Sequence, residues 1–329
     1  MITSNLVDNW NENQISDNEH EFFDGIEVYR CRGNFVFKNY MVSSQIFKRL
    51  VAIKADLVHI HGYGFFHSDI TAFVSKLRGM PYVVTSHAFY PAVFFLSKVI
   101  LGAYNLSIGK IGLHGASKCI ALNPYYAKMF RKFGVPEKRI KIIPNGVNLD
   151  SFLKLPNFNP ILGKYGIDGK LITFIGRLDD VKSPAVFVLI KAFSELVGRY
   201  PKLKLAILGP DWGYLSKLKK RTINLGLQNS VIFGGKISEL EKMMFLSRSN
   251  IGAVVSLNEA FSLVLLEFMA SGKPVIVSRV GGLPSIICEG QGLLVDNDSV
   301  SMKLALQKLL SDETYAKSLG EKGRKQVFS

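Results

Sequence analysis

Short apolar runs rich in β-branched residues alternate with segments of helical spacing along most of this chain, and this alternation limits the fold more than any other feature. Strands that are apolar throughout must be covered on both faces, and helices placed between successive strands cover a parallel sheet in that way. The pattern predicts an α/β fold. The strands predicted in the first half are Ile26–Cys31, Asp56–Ile60, Pro81–Ser86, Lys118–Leu122 and Lys141–Ile143.

The alternation pauses at Pro144-Asn145-Gly146 and restarts near residue 171. Two doubly wound, Rossmann-like domains that face a cleft are therefore predicted, covering residues 1–155 and 156–329, with residues 1–25 a polar loop. Ligands of such domains bind beyond the carboxyl ends of the strands. The later predicted strands are Leu171–Ile175, Leu203–Leu208, Val231–Phe233, Ile251–Val255, Pro274–Val277 and Gly292–Val295.

Charge is spread unevenly over the 329 residues, whose formal net charge is +15. From Arg30 to Lys141 there are 17 Lys and Arg residues but only three acids. A region so basic suits anionic partners such as acidic lipid or phosphorylated substrates, although a solvated basic surface is an equal alternative. No helix-turn-helix, zinc-finger or RNA-binding signature is present, so no nucleic-acid partner is predicted.

The compartment is predicted from cysteine usage and from apolar segments. The three cysteines are scattered, which is typical of reduced thiols in a cytoplasmic protein. The first 25 residues lack the basic and apolar regions of a signal peptide. The longest apolar stretch, Ala88 to Gly109, is interrupted by Pro91, Lys98 and Asn105. It falls short of a membrane span, so a cytoplasmic or membrane-peripheral protein is predicted.

A strand end followed by glycine and two cations suggests an anion site. Gly176 and Arg177 follow the strand Leu171–Ile175, and Lys182 comes just before a helix predicted to begin near Ser183. Glycine permits close backbone approach, and a helix N-terminus adds positive potential, so a diphosphate could bind here. An ordinary basic loop is the alternative.

Two glutamates flank the start of a later helix. Glu259 precedes a helix predicted to begin near Ser262, and Glu267 lies about a turn inside it. The amides of Phe261, Ser262 and Leu263 are expected to face the cleft, where first-turn N–H groups can bind an anion. Glu267 could accept hydrogen bonds from both ribose hydroxyls. A capping acid plus a solvated helix face is the alternative.

Two further strand ends carry candidate residues. Gly281 and Gly282 follow the strand Pro274–Val277 and would allow close approach of a phosphate or sugar, although a plain turn explains them equally well. His87 follows a strand in the first domain, where a structural histidine is the alternative. Metal binding by His59, His61 and His87 is compatible with their spacing but is not predicted, because no acid lies beside them. The triplet Asp296-Asn297-Asp298 is interpreted as a helix cap rather than a metal site.

In order and spacing these elements resemble the family 4 retaining glycosyltransferases of GT-B fold. The similarity covers about residues 26 to 326. The carrying segments are Ala55–His61, Tyr82–His87, Val135–Phe152, Phe174–Leu178 with Lys182, Glu259–Pro274 and Gly281–Pro284.

The resemblance implies an enzyme that transfers a sugar from a nucleoside-diphosphate sugar to a glycan, lipid or polysaccharide acceptor, with retention and without a metal or other cofactor. It implies that Arg177 and Lys182 neutralise the donor diphosphate, that Glu267 holds the ribose and that Glu259 contacts the donor sugar. His87 would line the cleft near the transferred sugar.

Residues 88–133 mix aromatic and basic residues. This mixture predicts contact with an anionic membrane surface and a lipid-linked acceptor, unless the aromatic residues belong to the core.

Departures from the family pattern keep a second function open. Met1–Ser4 resembles the end of the family's second strand, so the first βα unit is predicted to be missing, and the family's usual C-terminal helix is expected to lie beyond Ser329. Ser262 and Ser285 stand where the family usually has Gly and Glu. The alternative is a non-catalytic or partner-dependent GT-B binding chain. A GT-B epimerase or phosphorylase fits the motifs less well.

Overall fold

The computed structural model describes residues 1–4, 19–37, 40–87, 95–156 and 160–329. These residues divide into two compact units, Met1–Pro144 and Asn145–Ser329. The division lies before the predicted boundary at residue 155. The reason is packing, because Phe152 is buried against Leu246, Leu265 and Phe268 of the second unit.

The first unit contains three sheets within its described residues. One has the order β1-β3-β2, one pairs β4 with β5, and one is parallel with the order β6-β7-β8-β9. The elements are β1 Ile2–Ser4, β2 His20–Phe23, β3 Ile26–Cys31, β4 Phe35–Phe37, β5 Tyr40–Val42, α1 Ser44–Ala52, β6 Val58–His61, α2 Phe66–Leu77, β7 Tyr82–Thr85, α3 Phe95–Leu106, α4 Ile108–Gly115, β8 Lys118–Ala121, α5 Pro124–Lys132 and β9 Ile140–Ile142.

The prediction of a loop over residues 1–25 is wrong at both ends of that segment, where Ile2–Ser4 and His20–Phe23 are strands. Residues 5–18 lie outside the described residues. Asp24 and Gly25 have φ angles of 50° and 77°, as the tight turn of a two-residue hairpin requires. Strand β2 therefore pairs antiparallel with β3, and β3 lies in a mixed sheet rather than in the predicted parallel one.

The second unit is built on a parallel sheet with the order β12-β11-β10-β13-β14-β15. Strands β11 and β12 lie on one side of β10, and strands β13, β14 and β15 lie on its other side. The elements are α6 Asp150–Leu153, α7 Ile161–Lys164, β10 Leu171–Ile175, α8 Ser183–Ser194, β11 Lys204–Leu208, α9 Leu215–Asn224, β12 Val231–Gly235, α10 Glu239–Arg248, β13 Ile251–Val254, α11 Leu263–Ala270, β14 Val275–Ser278, β15 Leu293–Val295, α12 Ser299–Ser311 and α13 Glu313–Phe328.

Both faces of this sheet are buried, as the apolar strands predict. In β10, Ile172 and Phe174 pack into the cluster that includes helices α8 and α12, while Leu171 packs into a cluster on the other face with Phe245. Strands β10 and β13 are neighbours, and the direction in which successive strands are added to the sheet reverses between them. The loops that follow these two strands therefore lie next to each other. Such a switch point is where open α/β sheets bind ligands.

Candidate functional site

The loop after β10 is shaped by Asp179, which is buried in the second unit. One of its carboxylate oxygens accepts hydrogen bonds from the backbone N–H groups of Val181 and Lys182, at 3.1 and 2.8 Å. Its other oxygen lies 3.4 Å from the guanidinium of Arg177, whose side chain is half-exposed. Helix α8 begins at Ser183, as predicted. The two predicted cations are therefore held on one folded loop.

The loop after β13 ends in a capped helix. Ser262 is the N-cap of α11, and its hydroxyl accepts a hydrogen bond from the Leu265 amide at 3.2 Å. Phe261 is partly buried against the core below α11, whereas Leu263 is exposed. The first backbone N–H groups of a helix have no partner within it. The anion site that the sequence predicts at the N-terminus of α11 stays a prediction.

The loops after β10, β13 and β14 meet at Glu259. The Lys182 ammonium donates a hydrogen bond to Oε2 of Glu259, and both side chains are about four-fifths buried. The Glu259 carbonyl accepts a hydrogen bond from the Gly282 amide at 2.8 Å. Gly281, at φ 53°, lies so close to the Glu259 backbone that a Cβ atom would collide with it. Lys182 also packs on Gly176, with its Cδ 3.0 Å from the position of an added Cβ.

Glu267 forms a second, separate ion pair. The Lys242 ammonium, on α10, donates to Oε1 of Glu267 at 2.7 Å and contacts Glu239 at 2.8 Å. Burial raises the pKa of Glu267, against the opposing effect of Lys242. Burial also lowers the pKa of Lys242, but its hydrogen bonds to the two glutamates outweigh this and raise it. Oε2 of Glu267 is buried without a hydrogen-bond partner among the described residues.

His87 follows β7 in the first unit. Its Nε2 is 2.9 Å from Nδ1 of His61, and the His61 ring also contacts His59 with 4.1 Å between ring centroids. Burial and the neighbouring His61 both lower the pKa of His87. The predicted role of His87 near the donor sugar stays a prediction.

In the described part of the chain, no group of three or more His, Cys, Asp or Glu side chains is placed to hold a metal ion. Asp298 is the N-cap of α12 and accepts hydrogen bonds from Val300 and Ser301, which confirms the interpretation as a cap for this member of the 296–298 triplet. Among the same residues, no helix combines the length and apolarity needed to cross a membrane.

Direct contacts in the second unit thus connect Gly176, Lys182, Glu259, Gly281 and Gly282, and Asp179 links Arg177 to the same loop. Glu267 lies on α11 with the capped N-terminus but pairs with Lys242.

Sequence reasoning missed several supporting residues. Asp179 could have been found from its position three residues before Lys182, which suits a side-chain cap. Lys242, Trp212 and the group Ser256, Ser278 and Asn297 carry no local signal.

The group Ser256, Ser278 and Asn297 ties the ends of three strands together. The Ser278 hydroxyl donates to Asn297 at 2.7 Å and accepts from the Ser256 amide at 3.2 Å, while the Asn297 amide donates to the Ser256 carbonyl at 2.8 Å. The Leu257 amide, one residue further, donates to the Val181 carbonyl at 2.9 Å. These bonds hold the Glu259 loop against the Lys182 loop.

Two family models match the chain. The model described as Glycosyl transferases group 1 matches residues 160–326, and the model described as Glycosyltransferase Family 4 matches residues 12–151. A D-inositol 3-phosphate glycosyltransferase of Corynebacterium urealyticum is 33% identical over 196 residues, which are 56% of this chain and 46% of the relative. A glycosyltransferase of Methanocaldococcus jannaschii, described as uncharacterized, is 27% identical over 344 residues, covering 94% of this chain and 82% of the relative.

The Corynebacterium matches span only about half the length of those curated relatives. Among solved structures, Anabaena HepE in complex with UDP has a TM-score of 0.77 at 18% identity, covering 92% of this chain and 82% of that one. Sucrose-phosphate synthase from Thermosynechococcus elongatus has a TM-score of 0.75 at 24% identity, covering 100% of this chain and 83% of that one. These likenesses confirm the predicted α/β, GT-B fold.

Proposed function

The chain belongs to the glycosyl transferases group 1 family, and we propose that it transfers a sugar from a nucleoside-diphosphate sugar to an acceptor hydroxyl. The transfer retains the anomeric configuration and requires no metal ion. The observation that carries the proposal is the meeting of three loops at Glu259, where Lys182 and the Gly281-Gly282 turn both contact it.

The donor is recognised through charge and hydroxyl groups. Arg177 and Lys182 supply positive charge for the diphosphate, to which the N-terminus of α11 adds its own. The Glu267 carboxylate binds a ribose hydroxyl; its Oε2, buried and without a hydrogen-bond partner among the described residues, must turn toward the ligand to accept that bond. HepE has been crystallised with UDP and with UDP-glucose, so UDP-glucose is the first donor to test.

Catalysis follows from fixed electrostatics rather than from a protein nucleophile. Negative charge grows on the leaving phosphate as the glycosidic bond breaks, and the cations Arg177 and Lys182 stabilise it more in the transition state than in the ground state. The leaving phosphate assists deprotonation of the acceptor on the same face of the sugar. Glu259 accepts hydrogen bonds from the donor sugar hydroxyls. These bonds replace part of its hydrogen bonding with Lys182.

Metal independence is tested by titration calorimetry of UDP into the protein in the presence of EDTA. Binding under these conditions supports cationic side chains as the diphosphate ligands. Absence of binding at millimolar UDP in EDTA, with binding restored by added magnesium, would contradict metal independence. Absence of binding in both buffers would contradict the donor site itself.

Turnover is tested by a screen of UDP-, GDP- and ADP-sugars in which released nucleotide is measured. Release with one donor supports the enzyme, and the stereochemistry of the product tests retention. Nucleotide binding without release from any donor favours the alternative, a non-catalytic or partner-dependent binding chain.

For the acceptor side we propose contact with an anionic membrane surface and a lipid-linked or glycan acceptor. Within the described part of residues 88–133, Leu106, Ile108 and Ile111 are exposed near the junction of α3 and α4, and Lys110 is exposed beside them. Exposed apolar side chains next to a cation suit the headgroup region of an acidic bilayer. Co-flotation with phosphatidylglycerol vesicles but not with phosphatidylcholine vesicles is expected, and Ile108→Ser with Ile111→Ser should reduce it.

A further inference from the structure

Trp212 lies beside one of the two proposed donor cations. It occupies the turn between β11 and α9, and the guanidinium carbon of Arg177 lies over its indole ring, 4.5 Å from the ring centroid. A guanidinium within about 6 Å of an indole centroid is attracted by the negative face of the ring. The indole is thus a contact of Arg177 in addition to Asp179.

The backbone sets the position of the indole relative to Arg177. The Trp212 amide donates to the Leu178 carbonyl at 3.1 Å, and the Leu178 amide donates to the Pro210 carbonyl at 3.0 Å. These two bonds extend the pairing of β10 with β11 into the loops. Asp211 stiffens the turn further, because one of its oxygens accepts from the amides of Gly213, Tyr214 and Leu215 at 2.9 to 3.0 Å.

The charge of Arg177 is less compensated than that of Lys182. Its carboxylate contact, with Asp179, is 3.4 Å long, and its side chain is 51% exposed. Lys182 is about four-fifths buried in its ion pair with Glu259. A guanidinium carries five N–H donors in one plane. Donors of Arg177 that are not directed at Asp179 can therefore bind an anion while the indole restricts the rotamers of the side chain.

We propose that Trp212 is a positioning residue that holds the Arg177 guanidinium in the orientation that binds the donor diphosphate. The proposal rests on the proposed function of the same site. Ring contact reduces the side-chain entropy that Arg177 loses when an anion binds, which is the advantage of a preorganised group. The indole acts through Arg177, so it should affect recognition of phosphate and leave recognition of the nucleoside unchanged.

The test compares UDP with uridine by titration calorimetry for the wild type, Trp212→Leu and Trp212→Phe. We expect Trp212→Leu to weaken UDP binding about two- to fivefold, the size of one exposed cation–π contact, and to leave uridine binding unchanged. Trp212→Phe keeps an aromatic face and should restore at least half of the lost affinity. Unchanged UDP affinity in Trp212→Leu, or equal losses for UDP and uridine, would overturn the proposal.

Fluorescence supplies a second readout that a purely structural role would not change. The chain contains two tryptophans, Trp10 and Trp212, so Trp10→Phe leaves Trp212 as the reporter. UDP should change its emission, whereas uridine at equal saturation should not, because only the diphosphate reaches Arg177. Emission that responds equally to both ligands contradicts the proposal. If wild-type protein binds no UDP, the proposed function fails, whereas normal binding with no effect of Trp212 overturns this inference alone.

Discussion

Lys182 and Glu259 are 77 residues apart in sequence, and the Lys182 ammonium donates a hydrogen bond to the Glu259 carboxylate. The charge of the cation proposed to bind the donor diphosphate is therefore compensated by this carboxylate. Charge pairing limits the cost of holding both groups in a largely buried position. A diphosphate that binds Lys182 must compete with this carboxylate, which gives the pair measurable consequences.

The first prediction concerns Glu259→Gln. Removing the negative charge frees Lys182 for the diphosphate, so UDP affinity should rise about two- to tenfold by calorimetry. Sugar transfer should fall at least about tenfold, because Glu259 no longer accepts strong hydrogen bonds from the donor sugar. Glu195→Gln is the matched control, since Glu195 pairs with Lys191 and Lys303 on another surface. Weaker UDP binding in Glu259→Gln would contradict the competition between ligand and carboxylate.

The second prediction is a pH-dependent loss of stability in Lys242→Met. Burial raises the pKa of Glu267 above its value in the unfolded chain, so the ionised carboxylate opposes folding above its folded pKa. Without Lys242 the pKa rises further. Urea unfolding at pH 7.5 should show a loss of about 1–3 kcal/mol, typical of an unpaired buried polar group.

That loss should shrink as the pH falls to 5 and below, because protonated Glu267 costs less to bury. Lys219→Met, at an exposed position of α9, should be neutral at both pH values. A loss in Lys242→Met that is equal at pH 7.5 and at pH 4.5 would mean that Lys242 acts by packing and not by its charge.

The third prediction concerns Gly281→Ala. The residue has a positive φ, and a Cβ atom there meets the backbone of Glu259. The substitution should therefore displace Glu259, cost about 1–3 kcal/mol of stability and reduce transfer. Gly198→Ala is the control, because an added Cβ at Gly198 has no neighbour within 4 Å. Thermal unfolding and turnover measured on both variants check this, and full activity in Gly281→Ala is the outcome that contradicts it.

The fourth prediction concerns the cap of α11. Ser262→Ala removes the acceptor for the Leu265 amide and should destabilise the protein by about 0.5–2 kcal/mol, whereas Ser262→Gly should cost only a few tenths. Denaturant unfolding of the two variants measures the difference. Equal losses in both would show that the serine hydroxyl contributes through packing rather than as a cap.

Local patterns were sufficient for most elements of the second unit. The strand Leu171–Ile175 and the start of α8 at Ser183 agree with the structure. Both follow from neighbouring residues, because a run of apolar β-branched residues and a proline in the first helical turn act within a few positions. The hairpin at Asp24-Gly25 was missed although its dipeptide is a strong turn signal, since the surrounding polar residues suggested a loop.

The sequence by itself determined the alternation of strands and helices, the start of α11 near Ser262 and the order of the motifs that identify the family, because these depend on residues close together in the chain. Only the tertiary structure decided that Lys182 meets Glu259, that Lys242 pairs with Glu267, and that Trp212 lies under Arg177. The two residues of each pair lie in loops or helices that follow different strands of the sheet. Their contact depends on the spatial order of those strands in the sheet, which no local spacing encodes.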